Sequence, residues 1–149
     1  MKDYRSDLSD IFMSAVEFAD PESLVSSRVF IYEKCIVVDS SYTCNPEKIF
    51  MFAFGKAASK MAKGFLSVCD VDRGIVASNS VDDFPEHIDV IKAGHPLPNE
   101  GSLIAAEKML NLAKQADENT LCVFLVSGGG SAILSSPAFG ITLAEKMKT

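Results

Sequence analysis

The chain has 149 residues, 48% apolar and 23% charged, with 14 Lys and Arg against 20 Asp and Glu for a formal net charge of -6. That balance is globular rather than disordered, and the length suits one domain able to bury about 70% of its unfolded surface. The acidic excess excludes a binder of nucleic-acid backbone, which needs a basic face, and has the wrong sign for anionic lipid.

The first segment reads as an amphipathic helix, with Leu8, Ile11, Phe12, Ala15, Val16 and Ala19 on the 3.6-residue period. Asp20-Pro21 stops it and can open a short second helix, Asp20 as cap and Pro21 at the first helical position. Val29–Tyr32 and Cys35–Val38 read as short strands in an irregular stretch. The run Ile49–Phe54 is continuously apolar, the signature of a strand buried on both faces. Gly55-Lys56 leads from it into a helix whose inner positions include Ala57, Ala58, Met61, Phe65 and Val68. Gly74–Ser78 and Ile88–Ala93 follow as strands. A long helix capped by Asn99 then carries Leu103, Ala106, Met109, Leu110 and Ala113 as its expected buried stripe. Leu121–Val126 is a further, fully apolar strand, read as buried, and it runs at once into Ser127-Gly128-Gly129-Gly130-Ser131. Thr142 and Glu145 form a capping box seven residues before Thr149. Strands alternating with helices predict an α/β domain with a mostly parallel, Rossmann-like sheet and helices on both faces. A helix opening so close to the last residue predicts that this sheet is incomplete and the domain cut short.

The longest apolar runs, about six residues, are far short of a membrane span. The opening MKDYRSDLSD is too charged for a secretory segment, so the expected location is the cytoplasm. Cys35, Cys44, Cys69 and Cys122 are spaced 9, 25 and 53 apart with no CxxC pair, and are read as reduced thiols.

In an open parallel sheet, ligands sit beyond the carboxyl ends of the strands, and three unusual loops follow such ends here. Lys56, at a helix start, opposes the helix dipole by about 0.3–1 kcal/mol. A bound anion would reverse that sign, whereas an ordinary solvated lysine would bear it. Lys60 and Lys63 either extend the same basic face or are plain solvated charges. His95, in Gly94-His95-Pro96-Leu97-Pro98, stands between glycine and proline, where it either orients a hydroxyl or acts as a base, or merely turns the chain. The loop Ser127–Ser131 permits positive φ and offers successive bare N–H groups to an anion, or is simply a tight strand–helix turn. It is not a dinucleotide fingerprint: Gly128 and Gly130 fit GxGxxG, but Ile133 holds the third position.

Together the stretches FGKAASKMA at 54–62, AGHPLPNEG at 93–101 and VFLVSGGGSAIL at 123–134 resemble the glycerate 2-kinase family, whose members have also been named hydroxypyruvate reductases. Pro137, Gly140 and Leu143 fit the same course, and the resemblance runs from the first helix to the last residue, least distinctly over 28–47. It implies ATP-dependent phosphorylation of the 2-hydroxyl of D-glycerate with magnesium, in a cleft between two domains. Lys56 would then be the active-site lysine, Ser127, Gly128, Gly129, Gly130 and Ser131 the glycine-rich loop, and His95 part of the cleft wall. The metal ligands are not implied. Asn99 departs from an Asp common in the family, and Asn119-Thr120 from a more acidic approach to the loop. Family members are more than twice this length, so residues 1–149 are expected to be an N-terminal portion lacking the second domain and inactive alone. An NAD(P)-dependent hydroxypyruvate reductase and a non-catalytic anion-binding or subunit module are the alternatives. An incomplete sheet would also favour association, with another copy or another chain, through its open edge.

Overall fold

The computed structural model describes residues 4–33, 35–39, 41–44, 46–80 and 82–148, with the side chains of 42–44 left aside. Two helices open the chain, α1 (Tyr4–Phe18) and α2 (Pro21–Ser26). As expected, Asp20 caps α2, accepting the Ser23 N–H at 3.1 Å, with Pro21 at the first turn. The stripe on α1 finds no cover among the described residues: no α1 residue is buried, and Leu8, Ile11 and Phe12 are each about two-thirds exposed.

A small antiparallel sheet follows, with β1 (Val29–Tyr32), β2 (Cys35–Val38) and β3 (Ser41–Cys44) in that order. The first two strands match the sequence reading; the third was not foreseen. The reduced state expected for all the cysteines is corrected at Cys35, which is disulfide-bonded and sits opposite position 44 in the hairpin register. A hairpin brings residues nine apart face to face, which spacing alone does not reveal. Cys69 and Cys122 are free, and burial pushes both thiols up.

The second sheet is parallel throughout. It contains β4 (Lys48–Phe54), β5 (Arg73–Ser78), β6 (Ile88–Lys92) and β7 (Thr120–Val126), in the spatial order β6-β5-β4-β7. The helix α3 (Ala58–Leu66) joins β4 to β5, and α4 (Glu100–Ala113) joins β6 to β7. The two-residue period of β4 divides the core between them: Met51 and Ala53 pack with Ala58, Ala62 and Phe65 of α3, while Phe50 and Phe52 pack with Ala105, Met109 and Leu112 of α4. Helices thus cover both faces. The chain leaves β4 toward β5 and β6, then returns across the sheet to β7 on the other side, so the direction of winding reverses between β4 and β7.

Two expected burial patterns are corrected. On α4 the buried positions are Ser102, Ala105, Ala106, Met109 and Leu112; Ala113 and Leu110 are exposed, and Leu103 is only partly covered. Ala105, Met109 and Leu112 pack in the core cluster with β4, so the face toward the sheet mixes small and large side chains, and Leu110 and Ala113 fall on the neighbouring stripe. The strand β7 is not buried on both faces, since it is the sheet's edge: Phe124 stacks on Phe52 with centroids 4.8 Å apart, yet is 58% exposed. Short helices α5 (Gly130–Ile133) and α6 (Leu143–Lys146) follow, the latter opened by the expected Thr142–Glu145 capping box. No described helix is long and apolar enough to cross a membrane.

Phe52, 1% exposed at the centre of the sheet, should cost about 3–5 kcal/mol when changed to Ala. Leu8→Ala on α1 should change stability by less than about 0.5 kcal/mol. Urea unfolding of both variants checks the contrast. Acid sensitivity follows from three carboxyls held below their usual range: Asp20 by the Lys60 ammonium, Asp117 by the Thr120 hydroxyl and then Lys48, and Glu145 by the Thr142 N–H. A lowered folded pKa means that the unfolded chain binds more protons, so this stabilisation is complete above the ordinary carboxyl range and is lost as the pH falls through the folded values. Melting temperature should therefore drop on acidification, and Asp20→Asn, which can still cap α2, should flatten part of the slope.

Candidate functional site

The reversal of winding falls between β4 and β7, and the space beyond the carboxyl ends of the strands at such a point is the usual ligand position in open α/β sheets. Two of the three candidate loops leave those strands. Ser127 N–H donates to the Phe54 carbonyl at 3.1 Å, Lys56 N–H to the Gly128 carbonyl at 2.9 Å, and Ala57 N–H to Ser127 Oγ at 3.0 Å. Gly55, at φ 120°, makes this possible: a Cβ there would fall inside the Ser127 backbone and hydroxyl. Ser127 is therefore partly a structural residue, its oxygen closing the start of α3 where Ala57 offers no side-chain cap.

The third loop joins them at Gly129. This residue has φ 87°, and a Cβ on it would stand 2.6 Å from His95 Cδ2, 2.8 Å from His95 Nε2 and 3.1 Å from Lys56 Cγ. The His95 ring and the Lys56 stem thus lie against the same bare stretch of backbone, and a Cβ on Gly128 would stand 3.8 Å from Lys56 Cε. The His95–Pro96 peptide bond is cis. Gly130 lies under the Phe54 ring, and Ser131 begins the exposed outer side of the turn. Every sequence-predicted site residue is therefore in one locality.

Charge singles out one lysine. Lys60 is paired with Asp20 at 2.6 Å and Lys63 with Asp82 at 3.3 Å, so neither extends a basic face. Among the described residues Lys56 has no carboxylate partner, although it is exposed at a helix start with no acidic residue in the first turn. An unpaired cation there is what an anionic ligand would offset. Asn99, where a carboxylate was in question, accepts the Ser102 N–H at 3.1 Å and caps α4. A cavity of about 740 Å³ lies at the opposite end of β4, lined by Ile36, Glu47, Ile49 and Cys69, away from this chemistry.

Sequence reasoning passed over Ser135 and Lys146. Lys146 Nζ reaches Ser135 Oγ at 2.7 Å and the Ser131 carbonyl at 3.3 Å, and Ser135 Oγ donates to the Ser131 carbonyl at 3.0 Å, tying α6 to the end of the glycine loop. Only the capping box that places α6 was a signal of this in the sequence.

A family model described as a domain of unknown function, DUF4147, matches residues 7–149. The chain belongs to this family. Among curated relatives it is 35% identical over 132 residues to a glycerate 2-kinase of Pyrococcus horikoshii, covering 88% of this chain and 30% of that one. It is 32% identical to the D-glycerate 2-kinase of Thermotoga maritima, covering 87% and 34%. Two Agrobacterium vitis relatives carry a hydroxypyruvate reductase name instead, at 39% and 34% identity over 62% and 95% of this chain. A Pyrococcus horikoshii crystal structure superposes with TM-score 0.85 at 32% identity, covering 97% of this chain and 33% of that one. A Thermotoga maritima glycerate kinase structure gives 0.72 at 26% identity, covering 93% and 32%. The chain spans about a third of the length of the relatives it matches. The reductase reading is the weaker: the position where a dinucleotide fingerprint needs glycine is Ile133, which is fully buried in the core.

Gly55→Ala should cost about 1–3 kcal/mol through strained backbone, and more if β4 and β7 must separate. Thermal unfolding measures it, and an unchanged melting temperature would contradict the close Gly55–Ser127 contact.

Proposed function

We propose that this chain is the Rossmann-like portion of a glycerate 2-kinase, carrying the phosphate-binding wall of a cleft in which D-glycerate is phosphorylated on its 2-hydroxyl to 2-phosphoglycerate. The observation that carries the reading is the convergence of Lys56 and His95 on the backbone at Gly129. Phosphoryl transfer asks a protein chiefly for positioning and for stabilisation of charge spread over the phosphoryl oxygens. ATP, the donor named by this activity, supplies the transferred group. Lys56 then offers a point charge to the phosphoryl oxygens, the bare backbone from Gly128 to Gly130 lets them approach, and Ser127 and Ser131 flank them. His95 faces the glycerate hydroxyl, orienting it or accepting its proton.

Among the described residues no three His, Cys, Asp or Glu side chains come together as a metal site. Magnesium is commonly held by one or two carboxylates together with substrate phosphates, and no residue of this chain is assigned to it. The chain supplies Lys56, one cradle and a second lysine, Lys146, at the cradle's far end, fewer groups than phosphoryl transfer normally brings to its centre. The rest of the cleft, including a second domain, would come from polypeptide outside this sequence. The reading places the enzyme in the cytoplasm, where ATP is abundant, without a membrane or nucleic acid as partner.

The experiment is ATP-dependent formation of 2-phosphoglycerate from D-glycerate, with the 149-residue chain and with the longest reading frame that contains it. Little or no turnover is expected from the chain alone and full turnover from the longer product. In the latter, Lys56→Ala should lower kcat by about 10²–10³-fold, the range seen when one charge-stabilising group is removed. Unchanged kcat/KM in that variant would remove Lys56 from the mechanism. Nicotinamide oxidation without ATP turnover would replace the kinase reading with the reductase one.

A further inference from the structure

Among the described residues three serines outside the glycine loop are fully buried, Ser78, Ser102 and Ser135, and the last two are bonded to each other through the Ser135 N–H and the Ser102 carbonyl. Most buried hydroxyls are hydrogen-bonded, and the partners of such a group show what it holds. Ser102 Oγ accepts the Gly94 N–H at 3.2 Å and the Asn99 N–H at 3.1 Å, and it faces Asn99 Oδ1 at 3.4 Å. Its carbonyl accepts the Ser135 N–H at 3.2 Å. One residue in the first turn of α4 therefore binds the backbone immediately before His95, the backbone at the end of the same loop, and the chain that closes the glycine loop through Ser135 and Ser131. Helix capping alone requires only the reciprocal bonds with Asn99; the bond to Gly94, eight residues upstream, is additional.

We propose that Ser102 is a positioning residue for His95. It fixes the amide of Gly94 to the rigid first turn of α4, and so sets where the adjacent imidazole meets Gly129. Neither its hydroxyl nor its carbonyl reaches the ligand side of the loop; it acts through the backbone it holds. The consequence for phosphate binding rests on the function proposed above, whereas the placement of His95 does not.

The test uses the 149-residue chain, whose two histidines serve as probe and internal reference. In Ser102→Ala the imidazole NMR signals of His95 should shift and the Gly94 amide should lose protection from hydrogen exchange, while the signals of the distant His87 stay in place. Asn99→Ala removes the other half of the cap and keeps the Ser102 hydroxyl, so it should lower the melting temperature yet leave His95 where it is. Unmoved His95 signals in Ser102→Ala overturn the proposal, and so does an equal shift in Asn99→Ala, which would make the effect one of helix fraying. Should Ser102→Ala fail to fold, exchange in the unmodified chain decides: a Gly94 amide as slow as those of the α4 core supports the bond, and one exchanging at open-loop rates overturns it. Titration with inorganic phosphate separates the two claims. Perturbation of His95 and Gly129 in the unmodified chain, weakened about threefold or more in Ser102→Ala, supports both. A His95 shift in the variant with no phosphate response in either chain leaves the positioning role standing and removes the anion site.

Discussion

At the carboxyl end of the parallel sheet, β4 and β7 approach so closely that position 55 has no room for a side chain. Gly55 lies directly against Ser127, and the three hydrogen bonds around that contact lock the two outgoing loops to each other. The rest of the candidate site depends on this closeness. With the loops locked, Lys56 can lie along the glycine turn, and Gly129 can take the left-handed conformation that leaves its backbone open to His95. A larger residue at 55 would separate the strands or expel Ser127 from the start of α3. Either change would remove the surface on which the charged and polar groups meet.

Electrostatics sharpen what packing begins. The chain is acidic overall, and its lysines on α3 are mostly neutralised locally, Lys60 by Asp20 and Lys63 by Asp82. Exposed pairs of this kind contribute little to stability, but they leave Lys56 as the lysine at the start of α3 without a carboxylate partner among the described residues, while Lys146 reaches the far end of the glycine loop at Ser131. Lys56 also stands where the helix dipole disfavours it, a small strain that a bound anion relieves.

The sheet itself is unevenly finished. Its centre, β4 and β5, is sealed by helices on both faces, whereas β7 presents the exposed ring of Phe124, and α1 carries an apolar stripe that no described residue covers. Apolar periodicity registers that a residue is suited to burial, and it does so for Phe124 and Leu8 as faithfully as for Phe52. It carries no information on whether anything is present to bury it. That is why β7 reads as a buried strand and is an exposed edge, and why Leu110 of α4 reads as buried and is exposed while Leu112 is buried.

Local chemistry was legible from the residues alone: Asp20, Asn99 and Thr142 as caps, the apolar run of β4, the strands β1 and β2, and the three loops at strand ends. Each of these is set by neighbours a few positions apart, where backbone preference and hydrogen bonding act directly. The meeting of those loops at Gly129, the pairing of Lys60 and Lys63, the disulfide state of Cys35 and the buried bonds of Ser102 join residues from 8 to more than 70 positions apart. The sequence by itself determined most of the helices and strands, β3 excepted, and drew attention to the three loops at strand ends. Only the tertiary structure decided which side chains face one another, because strand order and the separation of β4 from β7 are properties of the packed sheet rather than of any segment within it.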